Sequence, residues 1–317
     1  MKPVPRALIV IIVMLTAVGN GGVFAQQLPF YSQYTNNYFL LNPAIAGTTQ
    51  NIDVRGAYRQ QWMGFSGAPT TSALSFNSRL YKGMFGLGGF VVNDVIGPNQ
   101  QTEYNFSGAY HIRFPDVELS LGAGGYLTQY VLNGSQMTTR YSMDPSLNNS
   151  MSSTWAENLG GGIYLYNDRF NIGFSGLNAL QPSINVFTDS SRHGIVKFVT
   201  QANFVLGYNY SYNDNILYQN SFYANYTIGS PIVLDYTFRF HYKKKVFIGA
   251  SLRWGDAIIA SAGCTLMKDF QVSYSYDFLI SNLMGYTSGS QEISLIYKLD
   301  LSSKKNRFLK QKYGYIL

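Results

Sequence analysis

The sequence predicts an all-β protein, a transmembrane antiparallel β-barrel of about fourteen strands, and three observations carry that prediction. Apolar and polar residues alternate with a period of two over segments of roughly ten residues, the length and pattern of a tilted membrane-crossing strand. Aromatic residues make up 16% of the chain and charged residues 12%, with a mean hydropathy of -0.05. That charge is low for a soluble domain, where about a quarter is usual, and the hydropathy is far below that of a helical membrane protein. Short charged turns also take turns with longer connections rich in Gly, Asn and Ser, the asymmetry of an outer-membrane barrel.

Residues 1–25 read as a secretory signal peptide: Lys2 and Arg6 precede an apolar run from Ala7 to Val18, and the stretch ends in Val23-Phe24-Ala25, with cleavage expected after Ala25. Residues 26–50 show no strand period and are assigned to a periplasmic segment entering the barrel. The barrel is assigned to residues 51–301. Three of its strands show the alternation plainly. In residues 101–114, Tyr104, Phe106 and Tyr110 fall on one face and Glu103, Ser107 and His111 on the other. In residues 231–242, Leu234, Tyr236, Phe238 and Phe240 oppose Asp235, Thr237, Arg239 and His241. In residues 269–278, Phe270, Tyr274 and Phe278 oppose Ser273, Ser275 and Asp277. The first set would face lipid and the second a wet lumen.

Tight turns at 80–83, 114–116, 166–168, 212–214, 243–245 and 267–269 alternate with connections near 62–70, 94–101, 133–153, 177–196, 229–231, 255–257 and 281–288. Strands placed between them start near 51, 70, 84, 101, 116, 154, 169, 197, 214, 231, 246, 257, 269 and 289. An even count puts both termini in the periplasm. Residues 302–317 form a basic periplasmic tail.

The formal charge is +7, and loss of Lys2 and Arg6 with the signal leaves +5 (7 minus 2). Export separates this charge from nucleic acid, which is excluded as a partner. Cys264 stands alone and forms no intrachain disulfide. His111, His193 and His241 lie on separate elements, so neither a metal centre nor a hydrolase site is indicated, and no cofactor motif is present. The glycine pairs Gly88-Gly89 and Gly124-Gly125 and the run Gly160-Gly161-Gly162 lie inside strands rather than in a phosphate loop; they permit curvature or close approach to something inside the lumen.

A set of motifs then follows in order: Ser32-Gln33-Tyr34, Leu41-Asn42-Pro43-Ala44-Ile45-Ala46-Gly47, Tyr58-Arg59-Gln60-Gln61-Trp62, Gly67-Ala68-Pro69, Asn93-Asp94 with Ile96-Gly97-Pro98, Tyr110-His111-Ile112, Arg253-Trp254-Gly255-Asp256, Tyr274-Ser275-Tyr276-Asp277 and Ser288-Gly289-Ser290-Gln291-Glu292. Together they resemble the PorP/SprF family of Bacteroidetes outer-membrane proteins. Gln291 stands where a histidine is expected, and the basic tail runs past the final strand. The resemblance implies a noncatalytic barrel of the type IX secretion and gliding machinery, working with a secreted surface adhesin or other secreted substrate and with periplasmic secretion or gliding components. A channel or transporter for small solutes is the alternative.

The candidate partner-binding residues are Arg59, Trp62, Phe65, Asp94, Pro98, Asn99, Gln100, Tyr286 and Gln291, all expected in outer loops. Aromatic and neutral polar groups suit an interface of buried anchors. The competing expectation is that these loops fold inward and cap the lumen. Arg253 and Asp256, near a minimal hairpin, are expected to form a rim ion pair worth little by itself.

Overall fold

The computed structural model describes residues 30–49, 51–80, 83–137, 151–185, 195–267 and 269–299. The signal segment, the basic tail and His193 lie outside them. Fourteen strands form one closed antiparallel barrel: β1 (Ile52–Gln60), β2 (Thr70–Arg79), β3 (Phe85–Ile96), β4 (Asn99–Arg113), β5 (Glu118–Asn133), β6 (Met151–Tyr166), β7 (Phe170–Leu177), β10 (Gln201–Asn213), β11 (Ile216–Thr227), β12 (Val233–Tyr242), β13 (Val246–Arg253), β14 (Ala257–Met267), β15 (Phe270–Leu279) and β16 (Ser290–Leu299). A small pair, β8 (Ser183–Asn185) with β9 (Ile195–Lys197), lies in the long connection after β7. It accounts for β10 beginning at Gln201 rather than near 197.

Closure is made by β1 against β16, in register from Ile52↔Leu299 to Gln60↔Gln291. Every barrel strand therefore has two neighbours, so no backbone edge is offered to lipid, where each unpaired group would cost several kcal/mol, on the order of a lost hydrogen bond or more. The alternation expected from sequence is the alternation observed. Leu74, Phe76, Tyr104, Phe106, Phe174, Phe238, Ile248 and Phe278 are exposed outside. Ser75, Asn77, Ser107, His111, Thr237, Arg239, Ser273 and Asp277 are buried inside.

Short turns lie at one end and long connections at the other. At the turn end, Lys243 and Lys244 both take positive φ (49 and 55) between Tyr242 and Lys245, the left-handed pair whose twist matches a tight hairpin. At the loop end the strands run further than the sequence suggested: β3 pairs with β4 up to Ile96↔Asn99. The expected loop at 94–101 shrinks to Gly97-Pro98, with Gly97 at φ 55. Both ends of the wall, at Ile52 and Leu299, sit at the turn end.

Phe238 lies in the middle of β12 on the outer face. Phe238→Lys should destabilise the folded barrel by about 2–4 kcal/mol while Phe238→Leu leaves it nearly unchanged; the heat-modifiable fraction on a gel, followed through a denaturant titration, measures both.

Candidate functional site

The segment before β1 has no strand period because it is not part of the wall. Residues 31–46 lie buried inside the barrel in three short 3-10 turns, Tyr34–Asn36, Tyr38–Leu40 and Pro43–Ile45. The sequence reading put this stretch in the periplasm; the structure puts it in the lumen. Short turns leave backbone groups without regular partners, and the wall supplies them. Ser175 Oγ donates to the Leu41 carbonyl at 2.6 Å, and Ser120 Oγ to the Ala44 carbonyl at 2.6 Å. Asn42 caps the third turn, its Oδ1 accepting from the Ala44 amide at 2.9 Å while its Nδ2 donates to the Ile163 carbonyl at 3.1 Å.

Aromatic packing fills the remaining space. Tyr34, Tyr38 and Phe39 join Phe90, Tyr126, Tyr164, Tyr166 and Tyr223 of the wall in one buried cluster. Tyr34 lies 5.1 Å from Tyr223 between ring centroids, and Phe39 meets Phe90 edge-on at 5.9 Å. Tyr38 donates to Ser221 Oγ at 3.0 Å.

Wall glycines admit the plug. A Cβ on Gly122 would stand 2.3 Å from the Ala44 nitrogen, one on Gly86 2.0 Å from the Ala46 oxygen, and one on Gly162 2.1 Å from Asn42 Oδ1. Gly88 faces Phe39 in the same way, at 2.7 Å. The close approach expected of the glycine-rich strands is thus made at Gly88 and Gly162.

Two ionic clusters hold the two ends of the plug. Near the loop end, Arg59 Nη2 lies 2.7 Å from Asp277 and Nη1 3.5 Å from Glu292. Ser32 Oγ donates to Asp277 at 2.7 Å, and the Ser32 and Gln33 amides donate to the two Glu292 oxygens at 2.7 and 3.1 Å. Arg253 extends the network, 3.3 Å from Asp235 and 3.7 Å from Asp277, and donates to the Tyr31 carbonyl at 3.3 Å. Midway, Arg239 and Arg55 bond the side chain and the carbonyl of Asn36. At the turn end, Arg79 bonds Glu118 at 2.7 Å and the Gly47 carbonyl at 2.5 Å. His111 Nε2 meets the Ala46 carbonyl at 2.9 Å, as donor, leaving Nδ1 to accept from Arg79 at 3.2 Å.

Several sequence expectations change here. Arg59, expected in an outer loop, is 1% exposed inside the barrel. Arg253 and Asp256 form the expected ion pair at 3.5 Å, but Arg253 is buried and Asp235 lies nearer, at 3.3 Å. Asp94, Asn99 and Gln100 belong to strands. Asp94 accepts from Thr71, Asn99 from Tyr130, and Gln100 donates to Asn93. Gln291 spans the closing strands, donating to Gln60 at 3.2 Å.

The true loops tie to one another. The Met63 amide donates to the Gly289 carbonyl and the Ser288 amide to the Met63 carbonyl, both at 2.8 Å, while Gly97 donates to Gly67 at 3.0 Å. Pro98 accepts from the Asn133 amide at 2.8 Å. Trp62 packs with Leu283 against Ala257, Ile259 and Leu279, capping the wall from above. Phe65, Trp254, Met284 and Tyr286 stay exposed. The candidate residues therefore separate into lumen (Arg59), loop cap and strand bracing (Trp62, Asp94, Pro98, Asn99, Gln291) and open surface (Phe65, Gln100, Tyr286). The plug signature Ser32-Gln33 had no assigned role in the sequence; inward charges recurring on strands that face a supposedly wet lumen were the signal for it.

A closed barrel with an apolar outer girdle is an outer-membrane β-barrel, here one with a lumen filled by its own chain. Residues 23–297 match the family described as Type IX secretion system membrane protein PorP/SprF, and the chain belongs to that family. It is an outer-membrane protein of the secretion machinery. No curated protein matches. Among solved structures it is similar to the CymD monoaromatic hydrocarbon channel (12% identity, 90% of this chain and 96% of that one, TM-score 0.49). It is also similar to Omp33 of Acinetobacter baumannii (11%, 80% and 100%, 0.45) and to the Ralstonia pickettii toluene transporter TbuX (10%, 83% and 93%, 0.45).

Arg59→Ala leaves Asp277 and Glu292 without their main counter-charge and should cost about 3–5 kcal/mol. Ser32→Ala should cost about 1.5–3 kcal/mol as a lost hydrogen bond to a charged group. Because both residues bond Asp277, a double-mutant cycle read by denaturant unfolding in detergent should be non-additive.

Proposed function

We propose that the protein is a noncatalytic barrel that holds a secreted substrate of the type IX machinery, such as a surface adhesin, against its long-loop face. The observation that carries this reading is the plug. Aromatic rings and buried ion pairs occupy the lumen that a solute would need, so the ends of the barrel are left to do the work. At the loop end, Phe65, Trp254, Met284 and Tyr286 present apolar and aromatic surface on a framework braced by loop-to-loop hydrogen bonds. The aromatic rings among them bury much area on docking. The turn end would face the periplasm and its secretion or gliding components. His111, which a hydrolytic reading would need, is engaged in clamping the plug.

Phe65→Ala with Tyr286→Ala should reduce the substrate held at the cell surface while the amount of heat-modifiable barrel stays normal; surface proteomics with a barrel immunoblot measures the two. Equal loss of both would give these residues a folding role instead, and retention of both would remove them from the docking face. In liposome swelling, the intact protein should pass little solute and a variant lacking residues 31–46 should pass markedly more. Free passage by the intact protein would favour the solute-channel reading.

A further inference from the structure

We infer that the mature chain begins on the long-loop side of the membrane, opposite the end of the barrel wall at Leu299, because the plug is threaded through the barrel from the loop end to the turn end. The contacts fix the direction. Tyr31 is bonded by Arg253, the last residue of β13, and Ser32 and Gln33 by Asp277 and Glu292, each within two residues of the loop-end limit of its strand. Asn36, Tyr38 and Asn42 follow further down the wall: Tyr38 meets Ser221 in the middle of β11, while Asn36 meets Ser273 and Asn42 the Ile163 carbonyl, each three residues from the turn-end limit of its strand. Ala44 and Ala46 meet Ser120 and His111, near the turn-end limits of β5 and β4. Gly47 meets Arg79, the turn-end residue of β2. The chain then reverses into β1, which climbs back towards the loops.

An even strand count says only where the wall begins and ends, and the segment before β1 undoes that rule for the amino terminus. With cleavage after Ala25, residues 26 to 30 precede Tyr31. They span at most about 18 Å fully extended, against a hydrocarbon layer of about 30 Å. The lumen route back is filled by residues 31–46 themselves, and the lipid route would strip backbone groups of their partners. The amino terminus therefore stays beside the loops that present Phe65, Met284 and Tyr286. Arg59 of β1 and Glu292 of β16 grip the plug across the seam where these two strands meet.

The test places one epitope in each of three variants of the full chain: after Gln27, between Gly285 and Tyr286, and after Leu317. Antibody binding is compared on intact and outer-membrane-permeabilised cells, with heat-modifiability confirming a folded barrel. The Gln27 and Gly285 epitopes should be read on intact cells and the Leu317 epitope only after permeabilisation. A Gln27 epitope that follows the Leu317 epitope, or that is unreadable in the folded barrel from either side, overturns the inference. If the Gly285 and Leu317 epitopes exchange sides and the Gln27 epitope stays with Gly285, the threading stands and the outward-facing docking surface falls. Should the insertion hinder assembly, Gln27→Cys in a Cys264→Ala background gives the same comparison with a membrane-impermeant maleimide.

Discussion

The rest of the structure depends on filling the barrel. A wall of eight strands can close on its own side chains, whereas sixteen to eighteen leave an aqueous channel; fourteen lie between, with more room than inward side chains occupy. Here the chain fills that room itself with residues 31–46. The wall answers with glycine where the plug backbone passes, as at Gly86 and Gly122, and with Ser, Asn and Arg where plug carbonyls and amides need partners. Plug and wall are one packing problem.

The buried charges follow from the same constraint. Burying Arg59, Asp235, Arg253, Asp277 and Glu292 in the lumen is expensive unless each charge meets another and the spare lone pairs are bonded. The Ser32 hydroxyl and the Ser32 and Gln33 amides supply those bonds, so the plug completes the network it is held by. Such a cluster contributes little net stability compared with apolar packing. It penalises alternatives strongly, because a shifted plug would strip Asp277 and Glu292 of the hydrogen bonds that Ser32 and Gln33 give them. The clusters at the two ends, around Asp277 and around Glu118, define where the segment starts and stops.

This arrangement also explains where the family's motifs sit. Ser32-Gln33, Arg59, Arg253, Asp277 and Glu292 are scattered over the chain and converge on one site inside the barrel. They read as structural residues of a plugged barrel, which leaves the proposed docking to loop side chains such as Phe65 and Tyr286. Trp62 shows the division: a residue of the same motif as Arg59, it turns over the rim with a positive φ of 46 and packs down on Leu279.

The sequence by itself determined the wall. Side-chain direction in a strand has a period of two and the two solvents differ in polarity, so the class, the approximate strand count and the inward or outward direction of Tyr104, Ser107, Phe238 and Thr237 were all legible. Strand ends near the loops were less so, because pairing from Thr70↔Val95 to Ile96↔Asn99 continues beyond the apolar band, where alternation no longer marks lipid. Residues 31–46 were legible only as a motif. Their contacts join positions more than a hundred residues apart, Ser32 to Asp277 and Asn42 to Ile163, and no local periodicity encodes them. Tertiary structure alone decided that this segment lies inside, that Arg59 faces it from β1 rather than standing in a loop, and that the segment packs the lumen, because those outcomes depend on which surfaces meet once the sheet has closed.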